Sequence, residues 1–248
     1  MSLTVVTGAT GDLGKAIVAR LAAERHEILV VARNQEQLSA LEASSEGISS
    51  VVADLSQDEA VGQIRAAVKG RAVRMAVHCA AARVGGDILG VSTADVLTAV
   101  DIKVNGLLRL VRAVLPSIEE GSRIVAIGGN LGFDPIPDAA TAGIGSAAQA
   151  NAVRQLNRAL AHRGVTCHTV APGPVATDRW YAIAATEARR RGVTEDVVRR
   201  EATALSPLGR LTTPEEVAWV VARLADPEAG ALAGSTLLLD TGRRTALP

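Results

Sequence analysis

A chain of 248 residues, 48% hydrophobic and 21% charged, is long enough for one large core and too apolar to be disordered. Lys plus Arg number 26 and Asp plus Glu number 26, so no net field draws the chain to nucleic acid or to an anionic membrane surface. No apolar run approaches the ~20 residues of a membrane span. Met1-Ser2-Leu3 leads straight into a strand pattern without a signal-type leader, and Cys79 and Cys167 fit small buried hydrophobes in a reducing compartment better than a metal site. The expectation is a cytoplasmic protein with one domain over residues 1–248.

In chain order the pattern is strand, turn and helix, repeated. Apolar runs at Leu3–Thr7, Glu27–Ala32, Ser49–Ala53, Val73–Cys79, Arg123–Gly128, Thr166–Ala171 and Thr236–Asp240 read as strands. Helical spacing covers Leu13–Ala23, Gln35–Ala43, Asp58–Lys69, Ala94–Glu119, Ala147–His162 and Pro214–Ala225. Short β-branched runs alternating with helices predict a Rossmann-type α/β fold, a doubly wound parallel sheet buried on both faces. The stretch Thr177–Ser206, rich in arginine and carrying Trp180 and Tyr181, reads as a helical lid over the C-terminal edge of the sheet, where ligands bind in such folds. Aromatic residues are otherwise scarce, so this pair is a candidate platform for a planar or hydrophobic substrate.

Thr7-Gly-Ala-Thr-Gly-Asp-Leu-Gly14 lies between the first strand and the first helix. Gly8, Gly11 and Gly14 let the backbone turn tightly against a pyrophosphate. Thr10, Asp12 and Leu13 lie around the helix start, whose free N–H groups and positive dipole end attract phosphate. Asp12 brings a carboxylate near that phosphate, which costs affinity unless its side chain points outward. The second strand ends Val31-Ala-Arg-Asn34. An acidic residue here would bind a ribose 2′-hydroxyl, whereas an arginine accommodates a 2′-phosphate. Arg33 therefore argues for NADP(H), with NAD(H) as the alternative. Asp54 and Leu55, after the third strand, are placed to meet the adenine.

With these motifs, His78-Cys-Ala-Ala81, Ala171-Pro-Gly-Pro-Val-Ala-Thr-Asp178, Pro207-Leu-Gly-Arg-Leu-Thr-Thr-Pro-Glu-Glu-Val217 and Asp240-Thr-Gly242 occur in order. The chain resembles, over its whole length, the short-chain dehydrogenases/reductases, in the branch that includes 3-ketoacyl-carrier-protein reductases. The resemblance implies a seven-stranded sheet in order 3-2-1-4-5-6-7. It adds Ala80, Ala81, Pro172 and Gly173 to the cofactor site and sets the Val175 backbone and Thr177 against the nicotinamide carboxamide. It also implies a homodimer or homotetramer joined through helices near 94–119 and 142–163. The glycine spacing itself is closer to that of the epimerase-like branch, since Asp12 stands where the single-domain branch usually has glycine.

Family members reduce carbonyls with an Asn, a Ser, a Tyr and a Lys. The Tyr donates the proton, the Lys lowers its pKa and holds the ribose, the Ser polarises the carbonyl, and the Asn completes a water relay. Counting from Arg109–Val114, from Ile124–Gly132 and back from Val165 places those positions at Lys103, Gly129, Ala142 and Ser146. No register shift restores the set, because the one tyrosine is Tyr181 and no Tyr-x-x-x-Lys occurs. Lys103 has two readings: a lysine that runs to solvent or pairs with Asp101, or an ammonium that extends toward the emptied Lys position as cation or acid. Ser146 touches the ribose or fills space. Asn130, Asp134 and Asp138 border the mouth, where turn chemistry is their ordinary role. His78 is a proton relay or, more ordinarily, a packed histidine.

Three functions compete. The first is an atypical NADP(H)-binding enzyme acting on a small organic molecule, by unusual redox chemistry or by cyclisation, dehydration or isomerisation. The second is a catalytically silent subunit that pairs with an active homologue. The third is an NADP(H) sensor. None of them involves nucleic acid, membrane or metal.

Overall fold

The computed structural model describes residues 3–245. Seven parallel strands form one sheet in the order β3-β2-β1-β4-β5-β6-β7. They are β1 (Leu3–Thr7), β2 (Glu27–Ala32), β3 (Ile48–Val52), β4 (Val73–His78), β5 (Ile118–Ile127), β6 (Thr166–Pro172) and β7 (Thr236–Leu239). The order reverses between β1 and β4, which opens a crevice at the C-terminal edge.

The period of two along each strand builds two cores. Val5, Leu29 and Val31 face a layer of α3 (Glu59–Val68), α5 (Gly106–Val114) and α6 (Ala140–Leu160), packed through Ile64, Leu107, Leu110 and Val153. Val6, Ile28 and Val30 face the opposite layer, where Ile17 and Leu21 of α1 (Asp12–Ala23) meet Val217 and Val221 of α9 (Pro214–Arg223). Thr213 caps α9, accepting from the Glu216 N–H while the Glu216 carboxylate accepts from the Thr213 N–H. Much of the Thr-Thr-Pro-Glu-Glu motif is thus a reciprocal helix cap.

The expected long helix over 94–119 is three pieces. α4 (Thr93–Val100) passes through a π-helical turn, Asp101–Asn105, into α5, which ends at Val114. Leu115–Ser117 is a single tight turn and Ile118 already pairs with Val73 as the first residue of β5. Pro116 supplies no N–H to extend a helix, and the β5 register then skips at Glu119–Ser122, around Gly121 at φ 83°. At its other end, α6 begins seven residues before the expected Ala147, because Gly143 and Gly145 sit inside it. Both glycines lie tightly against neighbours: a Cβ would stand 3.2 Å from the Leu131 carbonyl at Gly143 and 3.2 Å from the Lys103 stem at Gly145. Their low helix propensity is thereby overridden by packing.

The segment expected to form a lid consists of α7 (Asp178–Arg191) and α8 (Glu195–Ala204), separated by Gly192 in the left-handed conformation. The remaining helix, α2 (Gln35–Ser44), is capped by the Asn34 carboxamide.

Candidate active site

The glycine motif makes a cradle. Gly8 leaves β1 at φ 67°, and a Cβ there would lie 2.7 Å from the Ala80 nitrogen, so the turn passes directly under the segment after β4. A Cβ on Gly14 would collide with the Gly8 carbonyl. Gly11 opens α1 with no side-chain cap, leaving its first-turn N–H groups for an incoming anion. Thr10 is half-buried beside this turn, while Asp12 is exposed in the first helical turn, where the helix dipole favours a carboxylate. Leu13 packs against the α1–α9 core.

At the far end, Arg33 is exposed where β2 stops. Asp54 accepts from the Ser56 N–H and hydroxyl. Burial tends to raise its pKa, but the Ser56 hydrogen bonds and the nearby Arg33 and Arg109 charges outweigh it and hold the carboxyl below the usual range. Leu55 is buried beneath. A positive group at the end of β2, a fixed carboxylate after β3 and an uncapped helix start fit a dinucleotide carrying a 2′-phosphate.

Between these ends stands the loop after β6. The Gly173 N–H donates to Leu239, and a Cβ on Gly173 would press on Asp240. Val175 bridges to Thr212, and Pro172 is buried. Thr177 caps α7: its hydroxyl accepts from the Trp180 N–H and donates to the Val175 carbonyl. Trp180 packs edge-on against Tyr181, ring centres 5.3 Å apart, with Tyr181 exposed. Ala80 is half-buried and Ala81 exposed in the crevice.

The reaction end is organised by the π-helical turn. Widening the helix there releases main-chain carbonyls from their usual partners. Ile102 O accepts from His78 Nε2 at 3.0 Å, and Lys103 O accepts from Gln149 Nε2 at 3.1 Å. A carbonyl only accepts, so His78 carries its proton on Nε2, and Nδ1 accepts from the Thr7 hydroxyl at 3.0 Å. Burial pushes the His78 pKa down to about 3, against the Ile102 bond and with the nearby Lys103 charge. His78 is thus a neutral, packed histidine that pins the turn.

Lys103 does not run to solvent and does not pair with Asp101, which accepts instead from Arg109 and Asn105. Its side chain is 9% exposed and crosses beneath Gly145, and its Nζ donates to Ile127 O at 3.3 Å, at the very end of β5. The absence of a side chain at Gly145 makes room for the stem, which would lie 3.2 Å from a Cβ there. Burial pulls the ammonium pKa down to about 8; Cys79 opposes that shift and Arg179 adds to it. The Cys79 thiol is pushed up to about 12 by burial and is inert at neutral pH.

Ser146, which follows Gly145 in α6, is buried, its hydroxyl 3.3 Å from where a Cβ on Gly129 would stand. Gly129 and Ala142 are partly open and contribute little volume. Lys103, packed against Gly145 and bonded to Ile127 O, and Ser146, packed against Gly129, thus border the same end of β5. Asn130 is buried, its carbonyl accepting from the Phe133 and Asp134 N–H groups, and Asp138 lies on the surface 3.7 Å from Arg190. Among the described residues no cluster of His, Cys, Asp or Glu could hold a metal, and no helix is long and apolar enough to cross a membrane.

Two residues of this end are not singled out by the sequence. Gln149 was legible only as a polar residue on the buried stripe Ala142, Ser146, Gln149, Val153 of α6. Arg179, two residues beyond the Thr177 cap, spans from α7 to donate to Ala82 O at 3.5 Å. Nothing in the local sequence distinguishes it from the other lid arginines.

A family model described as enoyl-(acyl carrier protein) reductase matches residues 8–244. The short-chain reductase protein NovJ of Streptomyces niveus is 31% identical, over 98% of this chain and 94% of its own. The 3-oxoacyl-[acyl-carrier-protein] reductase MabA of Mycobacterium tuberculosis is 25% identical, over 96% and 91%. The crystal structure of a single-substitution variant of actinorhodin polyketide ketoreductase with NADPH superposes with a TM-score of 0.89 at 25% identity, covering 99% of this chain and 98% of that one.

Proposed function

The chain belongs to the short-chain dehydrogenase/reductase family, and from that premise we propose that it is an NADP(H)-dependent reductase of a small carbonyl compound in which Lys103 replaces tyrosine as proton donor. One observation carries the reading: a buried ammonium, its pKa drawn down to about 8, stands at the end of β5 that Ser146 and Gly129 also border. A general acid works best when its pKa lies near the working pH. NADP(H) fits Gly8, Gly11, Gly14, Arg33 and Asp54, and the related ketoreductase structure contains NADPH.

When bound, the dinucleotide supplies the hydride. Lys103 gives its Nζ proton to the carbonyl oxygen as negative charge grows there, and is reprotonated from solvent. Ser146 donates a second hydrogen bond to the same oxygen. Ile127 O keeps the ammonium aimed between turnovers, while His78 and Gln149 hold the turn that carries it. Gly129 and Ala142 leave room for a substrate broader than a tyrosine-bearing site would admit. Copies of the chain associate through α4 and α6, which pack on one another and expose Leu97 and Ile144.

The test is NADPH oxidation, followed by absorbance, over a panel of small ketones and diketones. Reduction whose kcat declines as pH rises through about 8, and which drops at least about 100-fold in Lys103→Met, is the expected result. A Lys103→Met enzyme with the parent rate and pH profile would remove the basis of the proposal.

A further inference from the structure

The lid carries its arginines in two electrostatic states. Arg190 pairs with Glu187 at 2.8 Å, Arg191 with Glu201 and Arg199 with Asp196, each at 2.5 Å. These guanidiniums are neutralised within the lid. Arg179, like Arg189 and Arg200, has no carboxylate within ion-pair distance among the described residues, but its own partner is the Ala82 carbonyl across the mouth. That long contact directs the exposed side chain from the first turn of α7 toward the segment following β4, at the rim of the crevice. Lys103 beneath it likewise has a carbonyl, Ile127 O, and no carboxylate.

Two cations without a carboxylate partner thus border one crevice, an exposed Arg179 reaching the segment after β4 and a buried Lys103 reaching the end of β5, and the Arg179 charge contributes to lowering the Lys103 pKa. Like charges repel, the more so where one of them is buried as Lys103 is, and the repulsion is relieved when an anion enters between them or beside one of them. Arginine is suited to a carboxylate because its planar fork can donate two parallel hydrogen bonds. Half-buried Trp180 flanks Arg179 in the same helical turn.

We infer that the site selects a ketone bearing a carboxylate, with Arg179 as the residue that recognises the carboxylate. The inference rests on the reading of this crevice as the carbonyl-binding centre, and it assigns that centre a substrate class: small oxo acids rather than neutral ketones.

Benzoylformate and methyl benzoylformate share a skeleton and differ in the anionic charge, which makes them the probes. Each is titrated by calorimetry into the full-length protein saturated with NADP+, so that no hydride is available and binding alone is read. Benzoylformate should bind at least about 10-fold more tightly than the methyl ester. In Arg179→Met that preference should collapse to within about 3-fold, the ester affinity staying unchanged. Arg189→Met, which alters an exposed arginine elsewhere on α7, should keep the full preference. Equal affinity for the two compounds, no binding of either, or a preference that survives Arg179→Met would each overturn the assignment. Selective binding of benzoylformate by a protein that oxidises no NADPH would sink the reductase reading and leave the anion site standing. Reduction of both ketones without selectivity would do the reverse.

Discussion

Replacing Lys103 with methionine tests the burial of the ammonium through stability, independently of any substrate. The lysine pKa is lowered from 10.5 to about 8, chiefly by burial, with Cys79 opposing and Arg179 assisting. The folded protein therefore releases the Lys103 proton more readily than the unfolded chain does. Between those two values the unfolded state binds more protons, so stability rises with pH. Below about 8 both states are charged and the full penalty of burying the ammonium applies; above 10.5 both are neutral and it vanishes. At ~1.4 kcal/mol per pH unit the penalty is about 3 kcal/mol at pH 7 and under about 1 at pH 10. Methionine fills a similar volume without the charge but leaves Ile127 O without its donor, a cost of about 1–3 kcal/mol that does not depend on pH. The sign of the stability change at a single pH is thus a balance, whereas the pH dependence of the difference is not. Urea denaturation of both proteins at pH 7 and pH 10 should show the parent gaining about 2 kcal/mol relative to Lys103→Met on going to the higher pH. Of the other groups around the ammonium, His78 with its pKa down at about 3 and Cys79 with its pKa up at about 12 both stay neutral in the folded protein from pH 7 to pH 10, and they cancel in the difference. Parallel stability curves would mean that the ammonium is hydrated in solution, and the account of it as a poised acid would fall.

The cradle and the 2′-phosphate end can be tested by substitution. Gly8→Ala puts a methyl 2.7 Å from the Ala80 nitrogen at φ 67°; it should cost about 1–3 kcal/mol of stability and weaken NADPH binding at least about tenfold by fluorescence titration, and unaltered affinity would show that the turn does not approach the pyrophosphate. Arg33→Ser should weaken NADPH about tenfold and leave NADH unchanged, and an equal loss for both nucleotides would remove the 2′-phosphate assignment. Thr213→Ala removes one half of the reciprocal cap on α9 and should lower stability by about 1 kcal/mol in thermal or urea unfolding without changing nucleotide affinity; a large loss of affinity would instead place α9 in the binding machinery.

Much of the fold and part of the site are legible in the residues alone. β-branched runs separated by amphipathic helices dictate a parallel sheet, because each helix carries the chain back to the edge from which the last strand started and covers a face of the sheet. Gly8 and Gly14 can be assigned to a close main-chain approach from their place between strand and helix, and the absence of a tyrosine–lysine pair is a matter of reading the letters. The π-helical turn is not legible. Residues 94–114 have the apolar spacing of one helix, and the turn exists because His78 and Gln149, 24 and 46 residues away from the carbonyls they meet, supply the donors that an α-helix would have provided from within.

In the proposed reading, the chain alone determined which groups are available to the reaction: a lysine, a serine and two very small residues at the positions that the resemblance assigns to the family's four catalytic side chains. Only the tertiary structure decided what the lysine is. In sequence Lys103 stands two residues from Asp101, and local pairing is the ordinary expectation. In the fold, Arg109 and Asn105 take that carboxylate, and a glycine in α6 opens a channel inward. A long flexible side chain follows whichever partners remain, and those partners arrive from distant segments. Its direction, its charge state and its chemistry are therefore properties of the packing.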